Sequence, residues 1–128
     1  MTFIDDIVTY LKTNNISNDV HKNGFASGVP NDIAVNPPPG ILGKYSASGD
    51  MKLEKPSLQI LVRNQAGGTA ESKANEIYNL LNLTVNKRIG GTRFKRIEAQ
   101  SPPFFVSKSK AEGTIYSINF SLQIDERS

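Results

Sequence analysis

The chain has 128 residues and a mass of 14.0 kDa, enough for one hydrophobic core and too little for two, so residues 1–128 are expected to form a single domain. It contains no cysteine, which excludes disulfides and thiolate metal sites. A hydrophobic content of 38% suits a sheet with one wet face. The formal charge of +3 is unevenly spread: 7 basic and 8 acidic residues through Leu83, then 8 basic and 4 acidic from Thr84 onward. Basicity of this size more often marks a solvated face than a nucleic-acid site. No apolar run approaches a membrane span, and the acidic start Met1-Thr2-Phe3-Ile4-Asp5-Asp6 lacks the basic segment of a signal peptide.

From Thr2 to Asn14 the spacing of Phe3, Ile4, Ile7, Val8 and Leu11 predicts an amphipathic helix. Thr2 is its candidate cap, Asp5 and Asp6 suit the positive end of its dipole, and Asn14-Asn15 ends it. Ser17 to Gly28 is polar and broken. It holds the single histidine, His21, with no second His or Cys at ligand spacing. Asp32 to Asn36 reads as a short strand, stopped by Pro37-Pro38-Pro39-Gly40. The stretch Pro37 to Lys55 has no hydrophobic period, and a loop of that length in a small domain points to a contact element. Pro38, Leu42, Tyr45 and Met51 are its candidate interface residues.

Ser57 to Arg63, with Leu58, Ile60 and Val62 on one face, predicts a central strand. Thr69 is the expected cap of a second helix with Glu71 in its first turn, and Ala70, Ala74, Ile77, Tyr78 and Leu81 form the apolar stripe. Thr84 to Ile89 is a weak strand, Gly90-Gly91 a turn, and Thr92 to Gln100 a charged strand. Ser101-Pro102-Pro103 marks a sheet edge or crossover, because proline gives no N–H to a ladder. Phe104 to Ser107 then forms a hairpin with the next strand. Thr114 to Ile124 alternates throughout: Tyr116, Ile118, Phe120, Leu122 and Ile124 on one side, Ser117, Asn119, Ser121 and Gln123 on the other. Two helices and these strands predict an α+β fold, a mainly antiparallel mixed sheet with both helices packed on one face.

The ingredients of catalysis are missing. No phosphate loop follows a strand, no nucleophile elbow accompanies His21, and the adjacent acid pairs lie near the termini. Gly67-Gly68-Thr69 offers helix N–H groups to an anion, which a turn and a cap explain equally well. Lys87, Arg88, Arg93, Lys95 and Arg96 surround the Gly-Gly turn with Phe94 among them. One aromatic falls short of a base-stacking platform. A charged edge that resists aggregation is the plainer reading. Alternation puts Arg93 and Lys95 on one face and Arg96 on the other, unless a bulge intervenes.

The order Pro56-Ser57-Leu58-Gln59-Ile60-Leu61-Val62-Arg63, an Ala-rich helix ending Glu76-Ile77-Tyr78-Asn79-Leu80-Leu81, Gly90-Gly91-Thr92-Arg93-Phe94, Gln100-Ser101-Pro102-Pro103-Phe104-Phe105 and Tyr116-Ser117-Ile118-Asn119-Phe120 resembles the minor capsid or tail-terminator proteins of long-tailed bacteriophages. The likeness runs from Phe3 to Ile124 and is weakest from Ser17 to Lys55. It implies a structural virion protein at the tail–neck junction, present in the host cytoplasm during assembly, without catalysis or cofactor. It further implies a homo-oligomeric ring, typically of six subunits, that ends tail-tube growth and meets the tube protein and the head connector or stopper. DNA would pass through such a ring without sequence-specific binding. A head-completion or stopper protein, or a nucleic-acid-binding module using the basic group, are the alternative readings.

Overall fold

The computed structural model describes residues 2–17, 19–25, 31–36, 57–110 and 113–124. In chain order the elements are α1 (Thr2–Thr13), β1 (Val20–Lys22), β2 (Asp32–Asn36), β3 (Ser57–Asn64), α2 (Gly67–Leu81), β4 (Thr84–Ile89), β5 (Thr92–Ala99), β6 (Phe104–Ser109) and β7 (Gly113–Ile124). The expected α+β fold is present. One sheet runs β1-β2-β3-β7-β5-β4, with β6 also on β7, and of these pairs only β1–β2 is parallel. The expected loop Pro37 to Lys55, with Pro38, Leu42, Tyr45 and Met51, lies outside the described residues, as does the side chain of Thr2.

β7 is the spine of the sheet. One edge pairs with β3 from Ser57↔Ser121 to Asn64↔Thr114. The other edge is divided: β5 takes the C-terminal part from Ala99↔Phe120 to Phe94↔Ile124, and β6 the N-terminal part from Phe104↔Ser117 to Ser109↔Gly113. β5 and β6 therefore share one line, broken where the residues between Ala99 and Phe104 loop out. The break coincides with Pro102 and Pro103, which have no N–H to donate.

The alternation read from Tyr116 to Ile124 sets the core. Ile118, Phe120, Leu122 and Ile124 are buried, and Leu58, Ile60, Val62, Ile33 and Val35 join them across the ladder. α2 covers β3, β7 and β5, while α1 packs against β1, β2, β4 and β5. Thus α1 reaches both ends of the sheet, which the sheet can allow only by curling around it. Two adjacent carboxylates mark the two ends. Asp5 pairs with Lys22 on β1 (2.8 Å), and Asp6 Oδ2 accepts from the Thr92 hydroxyl of β5 (2.6 Å). The Lys22 hydrogen bond holds the Asp5 carboxyl below its ordinary pKa. Whatever that pair contributes is lost as the pH falls through the lowered value. The pair is half exposed and weak by that measure, whereas Thr92 is fully buried.

Helix ends differ in how they were encoded. α1 stops in a Schellman turn: Asn15 is left-handed (φ 62), Asn15 N–H donates to Lys12 C=O and Ile16 N–H to Leu11 C=O, and Ile16 buries beside Leu11. α2 begins at Gly67, earlier than expected, with Ala66 at its cap and no side-chain cap bond. The Asn64 carboxamide instead accepts from the Ala66 N–H (2.9 Å). Thr69 and Glu71 consequently fall inside the helix, and the expected cap is corrected. Helix can begin this early because Gly67 lies close over Thr114: a Cβ there would sit 3.3 Å from its hydroxyl.

The second face of the sheet is not uniformly wet. Asp32, Ala34, Ile115 and Ser117 on it are buried, and the Arg63 guanidinium lies 4.3 Å from the Phe25 ring centroid. Missing from the sequence reading was β1, whose three residues are too few to show a period.

Gly90 in the β4–β5 turn is left-handed (φ 61), and a Cβ there would run into the Asp6 carboxylate. Gly90→Ala is expected to cost about 1–3 kcal/mol, measured by urea unfolding. Adding Asp6→Ala should recover part of that loss, so the two substitutions will be non-additive.

Candidate interaction surface

The five basic candidates lie on β4 and β5, but not as alternation predicts. β5 carries a bulge between Phe94 and Arg96 against β7, and opposite it on β4 Asn86 is left-handed (φ 51). Both distortions insert at the same level, so the two strands stay in step with each other. Phe94 and Ile97 are consequently both buried on the helix side, although three residues apart. Arg93 and Arg96 therefore share the second face, and Lys95 sits in the bulge. The expected partnership of Arg93 with Lys95 is replaced by Arg93 with Arg96. An extra residue reverses every side chain beyond it.

Arg88 pairs directly with Arg93 across the turn, and Arg96 with Val85. Arg96 Nε reaches Glu98 Oε1 at 3.1 Å. Among the described residues Arg88, Arg93 and Lys95 have no acidic partner. Lys87 belongs to the other face: it pairs with Phe94, and its ammonium lies 5.8 Å from the Tyr10 ring of α1. The second face thus presents Arg88, Arg93 and Arg96 in one cluster, with two guanidinium groups in direct opposition. Phe94, the aromatic interleaved with them in sequence, is fully buried. It offers no ring to a base, which removes the stacking half of a single-strand site.

His21 is accounted for structurally. Its Nδ1 donates to Asp32 Oδ1 (2.8 Å), which also accepts from the Ile33 N–H (2.8 Å). Among the described residues no group of His, Cys, Asp and Glu is arranged to hold a metal, and no helix is long and apolar enough to cross a membrane. A cleft of about 520 Å³ lies between the β3–α2 turn and the β6–β7 turn, lined by Gln65, Lys108, Ser109 and Lys110. It contains two ammonium groups and no carboxylate, the wrong set for acid–base work and a suitable one for an acidic surface.

Sequence reasoning placed Phe104 to Val106 in the sheet without noticing that they are bare. Phe104, Phe105 and Val106 on β6 and Leu83 and Val85 near the start of β4 are between 44% and 60% exposed. The signal was the proline break itself. It displaces the chain beyond the reach of α2, leaving Phe105 only an edge-on contact with Tyr116 (6.0 Å between ring centroids). Apolar side chains on a free edge, next to a cationic face, make a protein-binding surface.

The comparisons agree with that class. The family described as bacteriophage tail terminator protein matches residues 27–126. The chain belongs to this family: it is a structural protein of the bacteriophage tail, and so part of the virion. The likeness read from the Pro56 to Phe120 motifs is confirmed over most of its length. Neither a curated protein nor a solved structure matches the chain.

Arg88→Glu turns a directly opposed like-charge pair into an opposite-charge pair. It should raise stability by roughly 0.2–1 kcal/mol, read as a higher urea midpoint with an unchanged m-value. The gain should shrink as salt is added.

Proposed function

We propose that this protein caps the end of the assembled tail tube, stops its elongation and presents the surface that joins the tail to the head, acting as a closed homo-oligomeric ring of six subunits. The family match over residues 27–126 carries the reading. The surface supports it in kind. A cyclic ring needs a heterologous contact, in which one patch meets a different patch of the next copy. An unneutralised arginine cluster on one face and a bare apolar edge are unlike patches of that sort. Arg88 and Arg93 meet carboxylates of a neighbouring subunit or of the tube protein, setting encounter rate and partner choice. The protein performs no catalysis and takes no cofactor. DNA passes through the ring without base readout, at the tail–neck junction of the virion.

Charge reversal at both arginines tests this cleanly. Arg88→Glu with Arg93→Glu keeps a like-charge pair across the turn, so folding stability should change little. Recognition of an acidic partner should be reversed. In a phage supplied only with this variant, electron microscopy should show overlong tubes or tails without heads, and infectious yield should fall by orders of magnitude. Tails of normal length and normal yield, from a variant shown to be folded, would refute the assignment.

A further inference from the structure

β6 has a free edge, and that edge borders an empty lane in the sheet. β4 pairs with the outer edge of β5 only as far as Thr84↔Ile97. There the lane closes: the Asn82 carboxamide, not a strand, accepts from the Ala99 N–H (2.8 Å). β6 continues the line of β5 along β7, but among the described strands nothing continues the line of β4, and β6 pairs with β7 alone. Every residue of β6 is exposed. Leu83 and Val85 stand at the closed end of the lane, and Phe104, Phe105 and Val106 lie along its side. Lys108 and Lys110 stand at its open end.

We propose that a second copy of this chain fills the lane with its own β6, antiparallel, forming a two-fold pair of the free protein. A free strand edge presents unpaired N–H and C=O groups, and another strand satisfies them. The charge pattern selects the copy and its direction. A parallel pair would set Lys108 beside Lys108. An antiparallel pair centred on Val106 lays the two Phe104–Val106 triplets against each other and sends the lysines to opposite ends, each stem beside the other copy's Phe104. The stepped edge also matches itself: the mate's β6 falls in line with β4, and the two sheets become one. Such a contact uses the same patch on both chains and closes at two. It therefore differs from a cyclic ring contact, and it goes beyond the ring reading without depending on it. The pair covers the apolar edge before assembly and opens when the subunit is incorporated.

The chain's lack of cysteine makes the test direct. Directly opposed residues of antiparallel strands have Cα atoms about 4.5–5.5 Å apart, within the range a disulfide spans. Under mild oxidation Val106→Cys should cross-link to a dimer on a non-reducing gel, while Lys108→Cys and Ser72→Cys, on the exposed side of α2, should stay monomeric. In sedimentation the parent protein should run at twice the monomer mass. Phe105→Lys with Val106→Lys should run as a folded monomer by circular dichroism. The proposal is overturned if the parent sediments as a monomer or only as a larger ring. It also fails if Val106→Cys cross-links no better than Ser72→Cys, if Lys108→Cys cross-links instead, or if the folded double-lysine variant stays dimeric. Should that variant fail to fold, the three cysteine variants decide alone.

Discussion

The structure depends on one strand being paired along both edges for its whole length. β7 meets β3 on one side and β5 followed by β6 on the other. Its even-numbered side chains, Ile118, Phe120, Leu122 and Ile124, are the floor on which α2 and the far end of α1 rest. A one-residue slip of β7 would move that whole set to the second face. Two bulges, one in β5 and one in β6, sit against this strand. β7 itself stays regular and its partners bend to fit. The irregularity is thus carried by the strands that present the surface, and the core strand is left undisturbed.

Strong periodicity was readable, and so was everything resting on it. The alternation in Tyr116 to Ile124, the Leu58-Ile60-Val62 face and the stripes of both helices each specified one buried side, and each is buried. What escaped was decided by single residues or by tertiary geometry. β1 is three residues long and exists by pairing with β2. The start of α2 was set by the Asn64 carboxamide and by the closeness of Gly67 to Thr114, a fit that no local pattern contains. The β5 bulge has no glycine to announce it. Its best trace was Asn86 on the neighbouring strand, since asparagine is enriched in the left-handed region that the distortion requires.

The candidate surface was legible by charge and illegible by direction. That five basic residues cluster around Gly90-Gly91 follows from the sequence alone. Which of them look the same way depended on one inserted residue. The result separates Lys87, turned toward Tyr10, from the arginine group. It also withdraws Phe94 from any contact with a partner. A surface made of guanidinium groups without exposed rings favours carboxylates over bases, which accords with a protein built to meet other tail proteins.

α1 deserves a mechanical reading. It lies before the stretch that matches the family, residues 27–126, yet Asp5 and Asp6 hold opposite ends of the sheet. Successive helix residues point about 100° apart, and that angle is what lets two neighbours in sequence reach two distant edges. The helix works as a tie rod with two hooks at a fixed angle, and the curvature of the sheet is tensioned between them. Lengthening the rod by a single residue between the hooks would swing one of them away from its edge. The curl of the whole sheet, and with it the angle between the β4–β5 arginines and the β1 edge, is therefore adjusted at a point remote from both.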